Sequence, residues 1–186
     1  MGRLFFFINH LWVSFISKYL NKKYNSKISR TGNSIRFIGI SKVTGLENIE
    51  AGNNIHIAEN AFISGKGGLT IGDNVHISRN LVLYTNNHNY EGDCLPYDTT
   101  FRFNKVIIEK NVWIGMNVTI LPGTHIEEGV IVGAGSVVAG RINKFEIIGS
   151  PIASLLKSRN VEHYNRLENE KKYGGPSGTP LKNINQ

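Results

Sequence analysis

The sequence predicts a mainly β fold in which short parallel strands wind into a solenoid. Three observations carry that prediction. Aliphatic residues recur at every sixth place, at Ile108, Ile114, Ile120, Ile126, Val132 and Val138. Four places after each of the first five stands a small or β-branched residue: Val112, Val118, Thr124, Val130 and Ser136. The positions between hold Gly, Asn, Pro and Glu. A six-residue spacing smears apolar groups around an α-helix but equals three pleats of a strand. The turn-forming residues between exclude one long strand. A short strand, a corner, then another short strand satisfies both conditions. Three such sides close a coil of about 18 residues, and coils stack at about 4.8 Å, the ordinary strand spacing.

The same frame runs earlier in the chain. Ile71, Ile77 and Leu83 hold the aliphatic place, with Val75 and Leu81 at the offset. Before them come Ala51, Ile57 and Ile63, with Ile55 and Ala61 at the offset. Two extra residues near Gly65–Gly68 shift the register, which reads as a bulged corner. These twelve frame positions amount to about four coils. A β-sandwich would instead show two-residue alternation between turn clusters.

The flanking elements follow in order. Residues 1–30 read as an amphipathic helical segment. Leu4, Phe5, Ile8, Leu11, Trp12, Phe15 and Ile16 share one side of a helical wheel, and Asn9, His10, Ser14, Ser17 and Lys18 take the other. The apolar run from Leu4 to Ile16 is 13 residues long, short of the roughly 20 a membrane span needs. No alanine precedes Ala51, so a small-residue signal cleavage site is not expected. The segment either packs on the solenoid or a neighbouring subunit, or rests at a membrane surface through residues 4–20, aided by Lys18, Lys22 and Lys23. Residues 31–150 form the solenoid, interrupted by an excursion over 84–107. Residues 151–173 read as a helix after Pro151, with Leu155, Leu156 and Leu167 as buried positions. Residues 174–186 read as a flexible tail.

Composition narrows the function classes. A net charge of +7 suits an anionic small molecule or surface. No nucleic-acid-binding motif accompanies it, so nucleic acid is not an expected partner. Cys94 is the only cysteine, which excludes an intrachain disulfide. No paired cysteines or histidine-rich spacing points to a metal.

The break in the repeat draws attention to chemistry, because solenoid insertions at corners often carry the binding face. This one holds His88, Tyr90, Tyr97, Phe101 and Phe103, with Asp93, Asp98 and Arg102. His56, His76, His88 and His125 all occupy the sixth, outward place of a hexad, so the frame alone singles out none of them. His88 differs by standing at the root of the excursion.

The stretches "LYTNNHNY", "VIIEKNVWIGMNVTILPGTHI", "VIVGAGSVVAG" and "IIGSPIASLLK" occur in this order. In them the chain resembles the hexapeptide-repeat acyltransferases, most closely the sugar, capsule and O-antigen O-acetyltransferases. The similarity covers about residues 45–158. It implies a left-handed parallel β-helix, a homotrimer, and acetyl-CoA held in a cleft between adjacent solenoids. It implies a saccharide acceptor, a cytoplasmic site of action, at the inner membrane face if the helix is interfacial, and no required metal.

Residue roles follow from the same resemblance. His88 matches the family's catalytic histidine and takes the acceptor hydroxyl's proton, a service worth about 10²–10⁴-fold. Met116 matches the position whose N–H faces the thioester. Trp113 lies near the coenzyme or simply stabilises its coil. Gly133 and Ala134 let the pantetheine arm approach the backbone. Many relatives carry Thr-Lys where this chain has Ala139 and Gly140, and arginines at Ala153 and Leu156. Arg141 and Lys157 stand beside those places as phosphate contacts. Ser64, Asn86 and Asp93 are polar candidates for the acceptor. Cys94 raises the rival of an acyl-cysteine intermediate. Other functions stay open: N-acetylation of a nucleotide-linked amino sugar, a non-catalytic scaffold, or a hexapeptide-type carbonic anhydrase with histidines converging on a metal.

Overall fold

The computed structural model describes residues 2–32, 35–149, 160–173 and 179–180, with side chains described from Leu11 onward except at 30 and 31. It divides into two compact units, the solenoid with its N-terminal helix and a smaller unit of residues 86–102 and the C-terminal region.

Three parallel sheets form the faces of the solenoid. The first stacks Ser29–Thr31, Ile49–Ala51, Leu69–Ile71, Val106–Ile108, His125–Ile126 and Arg141–Ile142. The second stacks Ile35–Phe37, Ile55–Ile57, His76–Ile77, Trp113–Ile114, Ile131–Val132 and Ile147–Ile148. The third stacks Lys42–Thr44, Phe62–Ser64, Val82–Tyr84, Thr119–Ile120 and Val137–Val138. Sheets of six, six and five strands give about six turns, two more than the sequence frame counts. The first coil, built on Ile35, Phe37 and Val43, keeps the beat from Phe37 to Val43, and the sequence frame stops short of it at the eight-residue step from Val43 to Ala51.

The predicted frame positions form the core. Ile57, Ile77, Ile114 and Val132 follow one another up the second face in register. Ile63, Leu83, Ile120 and Val138 do so on the third. All are at most 3% exposed, as are Val75, Leu81, Val112, Val118, Thr124, Val130 and Ser136 at the offset. Each fully buried aliphatic contributes about 1.5–3 kcal/mol. Coil length varies at the corners only. Ile57 pairs with Ile77, Ile114 with Val132, and Val132 with Ile148, so the coil shrinks from twenty to eighteen to sixteen residues.

The corners turn through left-handed backbone, where asparagine and glycine are favoured. Asn54, Asn74 and Asn111 hold one such column, and Asn60, Asn80 and Asn117 another, all with positive φ. Their amides bond from coil to coil: Asn54 to Asn74 at 2.9 Å and Asn74 to Asn111 at 3.0 Å. Asn60 reaches Asn80 at 2.9 Å, and Asn80 reaches Asn117 at 2.7 Å. Gly129 and Gly135 continue the two columns. At Gly129 a Cβ would also fall 2.6 Å from the Phe145 ring above it.

Helix α1 (Gly2–Asn25) closes the first coil with one side of its C-terminal half. Ser17 Oγ donates to the Gly39 carbonyl at 2.9 Å, and Tyr24 OH donates to the Ser41 carbonyl at 2.8 Å. Tyr24 is buried edge-on to Phe37, and Leu20 packs against the core. Of the two readings for this segment, packing on the solenoid therefore holds for that side.

In the smaller unit, helix α2 (Val161–Asn169) is capped by Asn160, whose side chain accepts from His163 N–H at 2.9 Å. Its Leu167 is fully buried. Within the expected span of 151–173 this helix occupies Val161–Asn169; residues 151–159, with Leu155 and Leu156, lie outside the described residues, as does nearly all of the tail at 174–186. The excursion is also narrower than 84–107, since Tyr84 and Val106 belong to solenoid strands. Leu95 N–H donates to the Lys172 carbonyl, and Leu95 bridges Tyr173.

The asparagine ladder yields a stability test. Asn80→Ala loses two interamide bonds and an accessible left-handed conformation, together about 1–2 kcal/mol. Asn80→Gly keeps the conformation and should lose less. Thermal unfolding of the two variants measures the difference.

Candidate active site

The excursion is organised by its own polar groups. Buried Asp98 accepts from Thr100 N–H at 2.8 Å, Thr100 Oγ1 at 2.5 Å and Asp93 N–H at 3.0 Å. The Thr100 hydroxyl bond is the main reason its carboxyl is held below the ordinary value, and backbone donors add to the effect against the opposing cost of burial. Gly92 lies against this carboxylate, with no room for a Cβ. Arg102 Nε donates to Asn89 Oδ1 at 3.0 Å, pairs with Glu91, and lies over the Tyr90 ring.

Within this frame the strand Asn86–His88 pairs with Phe101–Phe103. The His88 ring stacks on Tyr97 at 3.9 Å between centroids and tilts against Phe101 at 4.5 Å. His88 is consequently half-buried, where the hexad frame expects an outward side chain. Its Nδ1 is buried and has no hydrogen-bond partner among the described residues. Two rings, and no hydrogen bond to that nitrogen, fix the plane of the imidazole.

The other histidines have different surroundings. The His56 and His76 rings tilt against each other at 4.5 Å between centroids on the second face. Desolvation, then the neighbouring His76 and Arg36, push the His56 pKa down. His125 Nε2 bonds Glu109 Oε1 at 2.8 Å, which holds the Glu109 carboxyl below its usual range. Among the described residues no three His, Cys, Asp or Glu side chains gather as a metal site.

The predicted coenzyme residues fall into two groups. Trp113 pairs in register with Ile131, and Gly135 N–H donates to the Met116 carbonyl at 2.8 Å. Gly115 lies directly against Ala134, because a Cβ on Gly115 would come within 2.7 Å of the Ala134 nitrogen. The Trp-Ile-Gly-Met and Val-Gly-Ala-Gly corners thus stack at the junction of the second and third faces. Trp113, Met116 and Ala134 are exposed there, and Gly133 is half-buried. Ala139 and Arg141 sit at the next corner, between the third and first faces. Arg141 is ion-paired with the buried carboxylate of Glu127, a partner the sequence reading did not find. Lys157 lies outside the described residues.

The three acceptor candidates are not alike. Ser64, on the third face, and Asn86, in the excursion, are both buried; Asp93 is exposed. Cys94 is buried, which disfavours it as a nucleophile. A cleft of about 430 Å³ on the solenoid, lined by Glu47, Glu50, Lys66, Phe103 and Lys105 among others, involves none of the predicted residues. Its Lys105 and Glu50 approach to 3.8 Å.

Residues 105–140 match the model of the bacterial transferase hexapeptide, six repeats. The family match runs through both stacked corners. Over that stretch the chain carries the repeat of the bacterial hexapeptide transferases. A putative lipopolysaccharide biosynthesis O-acetyl transferase of Escherichia coli is 46% identical over 63 residues, covering 34% of this chain and 32% of that protein. The match thus spans about a third of that relative's length. A hexapeptide-repeat acetyltransferase of Vibrio cholerae, solved with acetyl-CoA, superposes with a TM-score of 0.63 at 25% identity over 73% of each chain. A maltose O-acetyltransferase of Clostridium difficile superposes with a TM-score of 0.57 at 25% identity, covering 72% of this chain and 79% of that one.

Sequence reasoning named His88 but missed what holds it. Asp98 and Thr100 carry a local signal, an Asx-type turn in "DTT", which could have been read. Tyr97 and Phe101 carry none, since only the folded loop brings them to the imidazole.

Asp98→Ala should raise local opening of residues 91–100 about tenfold or more, seen as faster hydrogen exchange there with solenoid protection unchanged. Because the folded carboxyl titrates below the ordinary value of 3.8, its stabilisation is complete above that value. The stabilisation is lost as pH falls through the folded value. In wild type, acid should therefore reproduce the exchange pattern of the variant only below that range.

Proposed function

We propose that the chain is an acetyl-CoA-dependent O-acetyltransferase that moves an acetyl group to a saccharide hydroxyl. The observation that carries this reading is the His88 imidazole, held against two aromatic rings with a buried nitrogen that has no hydrogen-bond partner among the described residues. The hexapeptide match over residues 105–140 and the similarity to a structure solved with acetyl-CoA support the donor. The relatives named for lipopolysaccharide and maltose support a saccharide acceptor.

In this reading a His88 ring nitrogen takes the proton of the acceptor hydroxyl as its oxygen attacks the thioester carbonyl. Charge collects on the carbonyl oxygen and is met by the Met116 N–H. The C–S bond breaks, the thiolate of coenzyme A leaves, and the imidazolium returns the proton to it. Transfer is direct in a ternary complex, where alignment of donor and acceptor lowers the barrier. The pantetheine arm follows Gly133 and Ala134 beside Trp113. Arg141 and Lys157 serve the phosphates, Arg141 by sharing its charge with Glu127. Asp93 is the exposed member of the acceptor set; Ser64 and Asn86 are its buried members. A homotrimer suits the division of these residues between corners. The exposed Trp113, Val137 and Ile147 give the last coils an apolar surface for a neighbour to cover.

Thiol release from acetyl-CoA, screened against a panel of soluble saccharides, tests the activity. His88→Ala should lower turnover at least about a hundredfold with little change in coenzyme affinity. Full turnover in that variant would overturn the assignment.

Ala134→Phe places a ring at an exposed corner and should leave the fold intact. It should raise the KM for acetyl-CoA by about tenfold or more, with a smaller change in the KM for saccharide. Steady-state kinetics with each substrate varied in turn separate the two.

A further inference from the structure

Helix α1 has two sides with opposite fates. With about 100° between successive residues, Ser17, Leu20, Asn21 and Tyr24 fall on one arc, and it is this arc that meets the first coil. Ser17 and Tyr24 bond the Gly39 and Ser41 carbonyls there, and Asn21 Nδ2 reaches the Phe37 carbonyl at 3.3 Å. Leu11, Trp12, Phe15 and Tyr19 fall on the opposite arc. They are 52%, 61%, 66% and 59% exposed, and Trp12 stacks on Phe15. Lys18, Lys22 and Lys23 border this stripe and are exposed.

Charge says what covers the stripe. Eight lysines and arginines precede Glu47, the first acidic residue of the chain. The remaining residues carry 13 basic and 14 acidic side chains, so the entire positive excess lies in the first 46. Among the described residues no helix is long and apolar enough to cross a membrane. An amphipathic helix with aromatic groups on one side, lysines along its border and no acid lies flat in a lipid interface.

We propose that α1 docks the protein on an anionic lipid surface, with Leu11, Trp12, Phe15 and Tyr19 in the headgroup boundary and Lys18, Lys22 and Lys23 among the lipid phosphates. The solenoid-facing arc keeps the first coil closed while the opposite arc takes lipid. This inference is independent of the transfer reaction, and its test uses no substrate.

The experiment is co-sedimentation of the full chain with phosphatidylcholine vesicles, with and without phosphatidylglycerol, over a salt series. Binding should require the anionic lipid and weaken as salt rises. Trp12→Ser/Phe15→Ser should lower partitioning about tenfold or more. Lys18→Glu/Lys22→Glu should do the same at low salt and matter less at high salt. Unchanged circular dichroism and melting would show that both variants fold, because the helix's hydrogen bonds to the first coil come from Ser17, Asn21 and Tyr24 and not from the altered side chains. No partitioning of wild type on anionic vesicles would overturn the proposal. Conversion of the assembly to smaller species by Trp12→Ser/Phe15→Ser on size exclusion would also overturn it, by making a second copy the occupant of the stripe.

Discussion

Stacking in register is the constraint on which the rest of this structure depends. A strand of two or three residues cannot form a stable sheet alone; it persists because the coil below and the coil above each supply a parallel partner. The buried column of Ile57, Ile77, Ile114 and Val132 holds that register, and a slip of one residue would turn each of these outward. Corners must then repeat too, because a corner that drifted would carry the next strand off its partner. The left-handed asparagines at 54, 74 and 111 meet this demand twice. They accept the backbone geometry, and their amides bond the next coil at the same height.

This regularity explains why the fold could be read from the sequence. A periodic structure writes a periodic sequence, so the aliphatic place at Ile108 through Val138 and its offset partners identified the core residue by residue. The reading failed where the period failed. The first coil, with Phe37 and Val43 inside, lies beyond a corner at Gly45–Asn48 that forms a short 3₁₀ turn. Helix α2 starts on a cap supplied by Asn160, a signal that the proline and leucine placement does not use.

The candidate site divides along the same line. Corner residues were legible, because the stacking that puts Gly115 against Ala134 is the stacking that shapes the core. The surroundings of His88 were not legible from the hexad, which assigns it an outward place. Tyr97 and Phe101 reach its ring only because Asp98 gathers the loop between them, a contact set by no repeat. Likewise Arg141 looked like a free cation by position, and only the fold shows the buried Glu127 carboxylate beside it.

A rigid repeat and an irregular loop do different work in such a protein. The solenoid places exposed groups at fixed spacing but offers few concave polar pockets, since its side chains alternate between a filled core and solvent. A general base needs a partly desolvated setting and a fixed plane, which a solenoid strand does not provide: His56 and His76 rest on an open face alongside each other, Arg36 and Trp113. Breaking the repeat once gives His88, the base of the proposed reaction, such a setting. Residues 86–102 leave the coil after Thr85, which marks the departure by accepting the Gly67 N–H at 2.7 Å through its hydroxyl. Thr85 also donates to the Ser64 carbonyl at 2.8 Å. Gly67 has no room for a side chain there, because a Cβ would fall 2.0 Å from the Thr85 carbonyl oxygen. The coil is thus pinned at the point where the chain departs, and the loop can be irregular without disturbing the register of the strands on either side.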